Sequence, residues 1–379
     1  MGLKSGCAGS RVLTSRRGIS GVTRHEWGTP QVHAGPTKNG PLCLATSDLP
    51  GCRIPSMPSS LTRRGWLDVA ATSAVALVLA GCANSISQQA VAPTWSKAVQ
   101  IENGQYKSVY SVSCPSTAMC MAVDENGSAL SLRGNRWSTP TSVTGGTTLV
   151  SVSCSSIKSC VAFTASGEVQ QFNGRTWSNQ GSITSPMAIV SASCPTDTFC
   201  AAVSSDGMAS IFNGRLWSTP AVVGGSSNAI RLTDVSCASS TFCVAVGPSG
   251  AVATFNGTQW TLHEGDLAGT PMLYISCPTA HFCSAITAGG ESVTFDGSKW
   301  ATPEAMPDPV NGYSSIACPS ADFCMVVALN GAAATWASGR WSSVDQVTHD
   351  GYAATATVSC ASIRFCVMVN AKGSTATYR

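Results

Sequence analysis

Fourteen cysteines recur as seven pairs, and every pair encloses five residues: Cys114/Cys120, Cys154/Cys160, Cys194/Cys200, Cys237/Cys243, Cys277/Cys283, Cys318/Cys324 and Cys360/Cys366. Successive pairs begin 40, 40, 43, 40, 41 and 42 residues apart. Around the pairs the consensus pattern is S-x-S-C-x5-C-x-A-V, then a glycine, an alternating run, and N/D-G-x-x-W. No 3.6-residue period appears, which excludes a solenoid of helix pairs. In the second repeat, Leu149 to Cys154 alternates with period two, and Cys160 to Phe163 is a short apolar run. Thr164 to Gly167 reads as a turn, Glu168 to Phe172 as a third strand, and Asn173-Gly174 as a hairpin turn before a fourth strand at Trp177. Four short strands per repeat predict an all-β fold, a seven-bladed β-propeller with four-stranded blades.

The ends of the repeat region sharpen this expectation. The seventh repeat stops at Tyr378-Arg379, before any G-x-x-W strand. The missing piece stands at the other end: Trp95 to Ile101 precedes the first cysteine pair and matches Trp137-Ser138-Thr139-Pro140. The N-terminal strand is therefore expected to complete the last blade, closing the ring over 95–379 and removing both exposed sheet edges. Truncation at either end is expected to unfold it. Seven tryptophans (Trp95, Trp137, Trp177, Trp217, Trp260, Trp300 and Trp341) mark the turns. A residue repeated in every blade is expected to pack neighbouring blades rather than to stack on a ligand.

Each cysteine pair is expected to staple the hairpin between the first two strands of its blade. Closing so small a loop is worth about 2 kcal/mol at most. A metal site needs three or four ligands together, and each blade offers two, so no metal and no cofactor are expected. Nor is the spacing the C-x-x-C of a redox catalyst. An even, regularly spaced set behind an export signal reads as a disulfide framework of an oxidising compartment.

Only 11% of the residues are charged, and Ser, Thr and Gly fill the gap, as suits short strands and tight turns. Residues 1–81 hold nine Lys/Arg and three Asp/Glu, whereas 82–379 hold thirteen and sixteen. The positive charge belongs to the leader. The weakly acidic body, read as having no basic stripe, argues against nucleic acid.

Within that leader, Arg63-Arg64 precede a mildly apolar stretch from Val69 to Ala80, too short to span a bilayer. Leu79-Ala80-Gly81-Cys82 follows and has the form of a lipobox, in which the Cys82 thiol would carry diacylglycerol after cleavage of a 57–81 signal peptide. Thr62-Arg63-Arg64-Gly65-Trp66-Leu67 also resembles a twin-arginine export motif, and the general secretory route stays open beside it. Translation is expected to begin at Met57, with 1–56 an artefact of the assigned start or a disordered extension. Cys7, Cys43 and Cys52 in that part lack zinc-like spacing. Residues 82–94 are expected to be a linker.

Over residues 95–379 the repeat resembles the propellers of bacterial cell-envelope proteins with sialidase-type (BNR) or photosystem-assembly-factor-type repeats. The likeness rests on the turn element Phe172-Asn173-Gly174-Arg175-Thr176-Trp177 or Phe295-Asp296-Gly297-Ser298-Lys299-Trp300. The full sialidase Asp-box, S-x-D-x-G-x-x-W, is not met. The resemblance implies the fold and touches function only weakly.

A site is expected where repeats differ. The inter-blade loops of repeats four to six carry His263, Glu264 and Asp266, then Glu304 and Asp308, then Asp345, His349, Asp350 and Tyr352. These could converge on a cation or polar ligand, or be solvated loop residues. The first strand offers Ser rather than acids, Asp234 excepted. The arginines are scattered one per turn (Arg136, Arg175, Arg215, Arg340) rather than clustered as a sialidase needs, and no paired carboxylates, G-x-S-x-G or H-E-x-x-H are found. The expectation is a monomeric, membrane-anchored extracytoplasmic lipoprotein. Its propeller would bind an envelope protein or glycan without catalysis. A sialidase-like glycan hydrolase or lyase is the alternative.

Overall fold

A computed structural model describes residues 92–101, 108–183, 187–225, 230–263, 267, 269–307 and 312–379. The leader, Cys82 and the linker to residue 91 lie outside the described residues, as do Glu264, Asp266 and Asp308.

Seven antiparallel sheets follow one another along the chain. In blade 4, a representative case, the strands are Asp234–Ser239, Phe242–Val246, Val252–Phe255 and Trp260–His263, each paired with the next. The first strand of every blade packs against the first strands of both neighbours, including blade 1 against blade 7, so the seven form a closed ring. Seven apolar clusters fill the seven joints between adjacent blades. Second strands supply most of this core. Met119–Asp124, Phe199–Ser204, Phe323–Ala328 and Phe365–Asn370 are buried along their whole length, because both faces of a middle strand meet another blade.

The seven tryptophans all pack into these joint clusters. Within its own blade the indole lies against the aromatic residue that ends the third strand, as in Phe255–Trp260 and Phe295–Trp300, with ring centroids 5.3 and 5.2 Å apart. Between blades, the phenylalanine before the second cysteine stacks on the third strand of the next blade: Phe199 on Phe255, Phe242 on Phe295, Phe282 on Trp336.

The ring is closed from the N-terminal side. Val99 and Gln100 pair with Thr375 and Ser374 as the outermost strand of blade 7. Trp95 bridges to Tyr378, and Thr94 exchanges two backbone hydrogen bonds with Arg379 at 2.7 and 3.0 Å.

The N/D-G-x-x-W element owes its form to two constraints. Asn173 Oδ1 accepts hydrogen bonds from the amides of Arg175 and Thr176, and Asp296 does the same for Ser298 and Lys299. That is an Asx turn. The glycine after it has φ of +92° at Gly174 and +95° at Gly297, and a Cβ there would come within 3.2 Å of Lys158 Cα or 3.0 Å of His281 Cα. Glycine is thus required both for the left-handed backbone and for contact with the disulfide hairpin.

Candidate functional site: the channel rim and the acidic face

All seven cysteine pairs form disulfides within their own blades. The staples are of two kinds, where the repeat suggested one. In blades 2, 4 and 7 the ladder runs through the disulfide. Cys154 stands directly opposite Cys160, Cys237 opposite Cys243 and Cys360 opposite Cys366, with Cα atoms 3.9 to 4.0 Å apart. In blades 1, 3, 5 and 6 the ladder is interrupted there, although Cys114–Cys120, Cys194–Cys200, Cys277–Cys283 and Cys318–Cys324 have Cα atoms 4.1 Å apart. The cause is the residue after the first cysteine. It is Pro115, Pro195, Pro278 or Pro319 in the interrupted blades, and Ser155, Ala238 or Ala361 in the others. Proline has no N–H to give to the second strand. In those four blades the disulfide holds the hairpin where a backbone bond is missing. Cys120, Cys200, Cys283 and Cys324 are themselves buried, so these sulfurs belong to the core and not to a reactive surface.

Close pairs of this kind exchange no backbone hydrogen bonds with each other. The amide of the first cysteine therefore points out of its sheet, at an edge with no further strand, and needs a partner.

The preceding blade supplies it. Ser113 Oγ accepts from Cys154 N–H at 3.0 Å, Ser153 from Cys194 at 2.9 Å, Ser193 from Cys237 at 3.0 Å. Ser236, Ser276 and Ser359 do likewise for Cys277, Cys318 and Cys114, each at 2.9 Å. Six of the seven joints carry this latch. At the seventh the serine position is Ala317, so Cys360 has no such partner from blade 6. The serine-cysteine dipeptide in the repeat is thus one device: the disulfide frees an amide, and the serine of the neighbouring blade satisfies it.

A second tier lies three residues before each first cysteine. Ser111 accepts from Val152 N–H and Ser315 from Val358 N–H, both at 3.2 Å. The residues of this tier are Ser111, Ser151, Ser191, Asp234, Tyr274, Ser315 and Thr357. Two adjacent blades thus depart from the Ser/Thr pattern, 4 and 5. Asp234 Oδ1 takes the Ser191 hydroxyl at 2.6 Å and its Oδ2 takes Ile275 N–H at 2.8 Å. The carboxylate spans two joints, to blade 3 and to blade 5. Burial pushes its pKa up to about 6, although the bonds from Ser191, Ile275 and Val235 each pull it down. Tyr274 beside it is pushed up as well, first by burial and then by the Asp234 charge.

The sequence-marked loop residues are distributed rather than gathered. His263 is not in an inter-blade loop but at the end of the outermost strand of blade 4, where Nε2 lies 2.8 Å from Thr254 Oγ1 in a cleft of about 330 Å³ with Trp300 of blade 5. Glu304 and Asp345 are also strand residues, in the short, exposed outermost strands Glu304–Ala305 and Asp345–Gln346. Pairing extends further along the outer edge than turn composition suggested. His349 and Asp350 line a second cleft of about 500 Å³ with Trp95 and Lys97, between blades 6 and 7. Asp350 is tied to blade 7 through Asn370 Nδ2 at 3.1 Å, and Lys372 Nζ donates to its backbone oxygen. Tyr352 is exposed. Among the described residues no three His, Cys, Asp or Glu side chains stand together as a metal would need.

What these residues share is a face. Turns between second and third strands and the ends of fourth strands lie on one side of the ring. There stand Glu125, Glu168 and Asp206, and across the ring Glu291, Glu304, Asp345 and Asp350, whereas Asp124 beside Glu125 is buried. Among the described residues, Arg231 and Lys372 are the Lys/Arg of that face. Seven carboxylates against two cations make it an anionic surface without a preformed metal cage.

No protein-family model and no curated protein matches the sequence. Solved structures do match in fold. YCF48 bound to D1 peptide aligns with a TM-score of 0.60 at 15% identity, covering 75% of this chain and 96% of that one. YCF48 from Cyanidioschyzon merolae aligns at 0.58 and 14%, covering 75% and 99%. Virginiamycin B lyase from Staphylococcus aureus aligns at 0.63 and 7%, again covering 75% and 99%. The chain is a seven-bladed β-propeller, and at these identities the likeness extends to the fold alone.

Proposed function

We propose that this protein is a membrane-anchored, extracytoplasmic scaffold whose propeller binds a basic protein or peptide segment on its acidic face. The division of charge carries the reading: carboxylates from blades 1, 2, 3, 5 and 6 are displayed on one side of a rigid ring. Complementary charge on a partner would steer it to that side. Seven disulfides, one in each blade, support an oxidising compartment. The lipobox ending at Cys82 supports the anchor. A propeller of like fold is described as bound to a peptide. For a glycan hydrolase, the exceptional channel carboxylate Asp234 has Tyr274, not a second acid, in the neighbouring blade.

Two measurements test the two halves. Palmitate labelling should mark wild type and not Cys82→Ala, and Cys82→Ala should leave the membrane fraction. An unchanged membrane fraction would remove the anchor. For binding, a panel of fluorescent lysine- or arginine-rich peptides should bind the chain in a salt-sensitive manner. Charge-neutralised Glu125→Gln/Glu291→Gln/Asp345→Asn should bind about tenfold more weakly. Equal binding by that variant would remove the acidic face as the site.

A further inference from the structure

The face opposite the carboxylates has the reverse character. The turns between third and fourth strands carry Arg133, Arg136, Arg175, Arg215, Lys299 and Arg340. Lys158 and Arg364 stand at the tips of disulfide hairpins, and Arg379 ends the third strand of blade 7 on the same side. All nine are exposed. Among the described side chains, Asp197, Asp296 and Asp322 oppose them, a surplus of six positive side-chain charges. The weakly acidic total of the body therefore conceals a basic face behind an acidic one.

Apolar residues stand among these cations. Ile157 is 40% exposed, Leu216 73% and Ile363 50%. A single exposed leucine or isoleucine is ordinary. Here each adjoins a cation in sequence (Lys158, Arg215, Arg364), and all three share the basic face. The described chain also enters on this side. Thr94 is hydrogen-bonded to Arg379 on the disulfide-hairpin side of blade 7, and it stands only twelve positions after Cys82. A segment of that length reaches at most about 43 Å.

We infer that the disulfide-hairpin face rests on an anionic phospholipid surface, with the acidic face turned away from it. Guanidinium and ammonium groups would meet lipid phosphates, while the three apolar tips enter the headgroup layer. The orientation rests on the anchored reading above. The affinity of the face for lipid does not, because it needs no covalent lipid.

The test uses the full chain carrying Cys82→Ser, so that no acyl group contributes, in co-sedimentation with phosphatidylglycerol-containing vesicles and with pure phosphatidylcholine vesicles. Binding to the anionic vesicles should be stronger by about tenfold or more and should weaken with salt. Arg175→Glu/Arg215→Glu/Arg364→Glu should lose about tenfold, and so should the milder Arg→Gln triple in part. Leu216→Asp/Ile363→Asp should lose several-fold. Glu125→Gln/Glu291→Gln on the far face should leave vesicle binding unchanged. The basic leader is present in every protein compared, so differences report the face alone, and thermal melts confirm that each variant is folded. Equal binding by wild type and both arginine variants would overturn the proposal. So would preference for soluble polyphosphate that vesicles cannot displace, which would make this a polyanion site instead. Failure of palmitate labelling at Cys82 would remove the anchor and leave this result standing.

Discussion

The joint between blades 4 and 5 and the joint between blades 6 and 7 occupy equivalent places in the ring and are closed by different atoms. At the first, Ser236 holds Cys277 N–H and the Asp234 carboxylate holds Ile275 N–H. At the second, Ala317 replaces the serine, and Ser315 holds Val358 N–H. Ser314 also donates to Ala356 O at 2.6 Å. The repeat reserves a place for a polar partner at each edge amide without fixing its identity, and at Cys360 that place holds Ala317. Where the partner is a carboxylate, the joint acquires a charge that burial disfavours. Where a hydroxyl is missing, the neighbouring tier carries the contact.

The largest expected effect is on pH dependence. Asp234 titrates near 6 in the fold against 3.8 in an unfolded chain. The folded state therefore holds the extra proton between those values, and the stability this confers is complete below about pH 4 and lost as pH rises through 6. The loss amounts to at most about 3 kcal/mol. Chemical denaturation at about pH 4 and about pH 7 should show wild type losing stability relative to Asp234→Ser, which restores the residue common in that tier. Parallel curves would mean the carboxylate is not enclosed as described. Next, Ser236→Ala strips the latch from Cys277 N–H and should cost about 1–2 kcal/mol. A cost near zero would show that channel water replaces the hydroxyl without penalty. The smallest effect is a gain. Ala317→Ser restores the missing latch and should stabilise by about 0.5–1.5 kcal/mol, read as a raised melting temperature. No gain would mean that the 6/7 joint has no unmet amide.

Much of the fold could be read from the chain because its repeats vary little. The period of the cysteine pairs, the N/D-G turns and the displaced Trp95 strand together dictated blade number, strand count and ring closure. Each is a local constraint that recurs, so errors at one repeat are corrected by the next. Even the two kinds of staple were legible in principle, since Pro115, Pro195, Pro278 and Pro319 stand beside their cysteines. The site was less legible. Ser113 and Cys154 are 41 residues apart, and nothing along the chain says that one hydroxyl faces the other amide. The same holds for the division of charge. Counting Lys/Arg against Asp/Glu along the chain averages over the strand reversal that sends Arg215 to one side and Asp206 to the other. The signal that could have revealed it was positional: cations fall in N/D-G turns, carboxylates in the turns before the third strand. His263, Glu304 and Asp345 stand out by their departure from the repeat, yet they lie in three different blades.

Closure by an incoming N-terminal strand also has a mechanical consequence. Consider tension applied to the segment before Thr94 along the axis of the strand that follows. The hydrogen bonds joining Thr94 to Arg379, Ser96 to Thr377 and Ile101 to Gly373 then bear the load in shear, all at once. A strand peeled from its far end would surrender them one by one. The blade that joins the two ends of the described ring is therefore loaded in its strongest direction, and a tug on its N-terminal side tightens against the whole ladder before any single rung can yield.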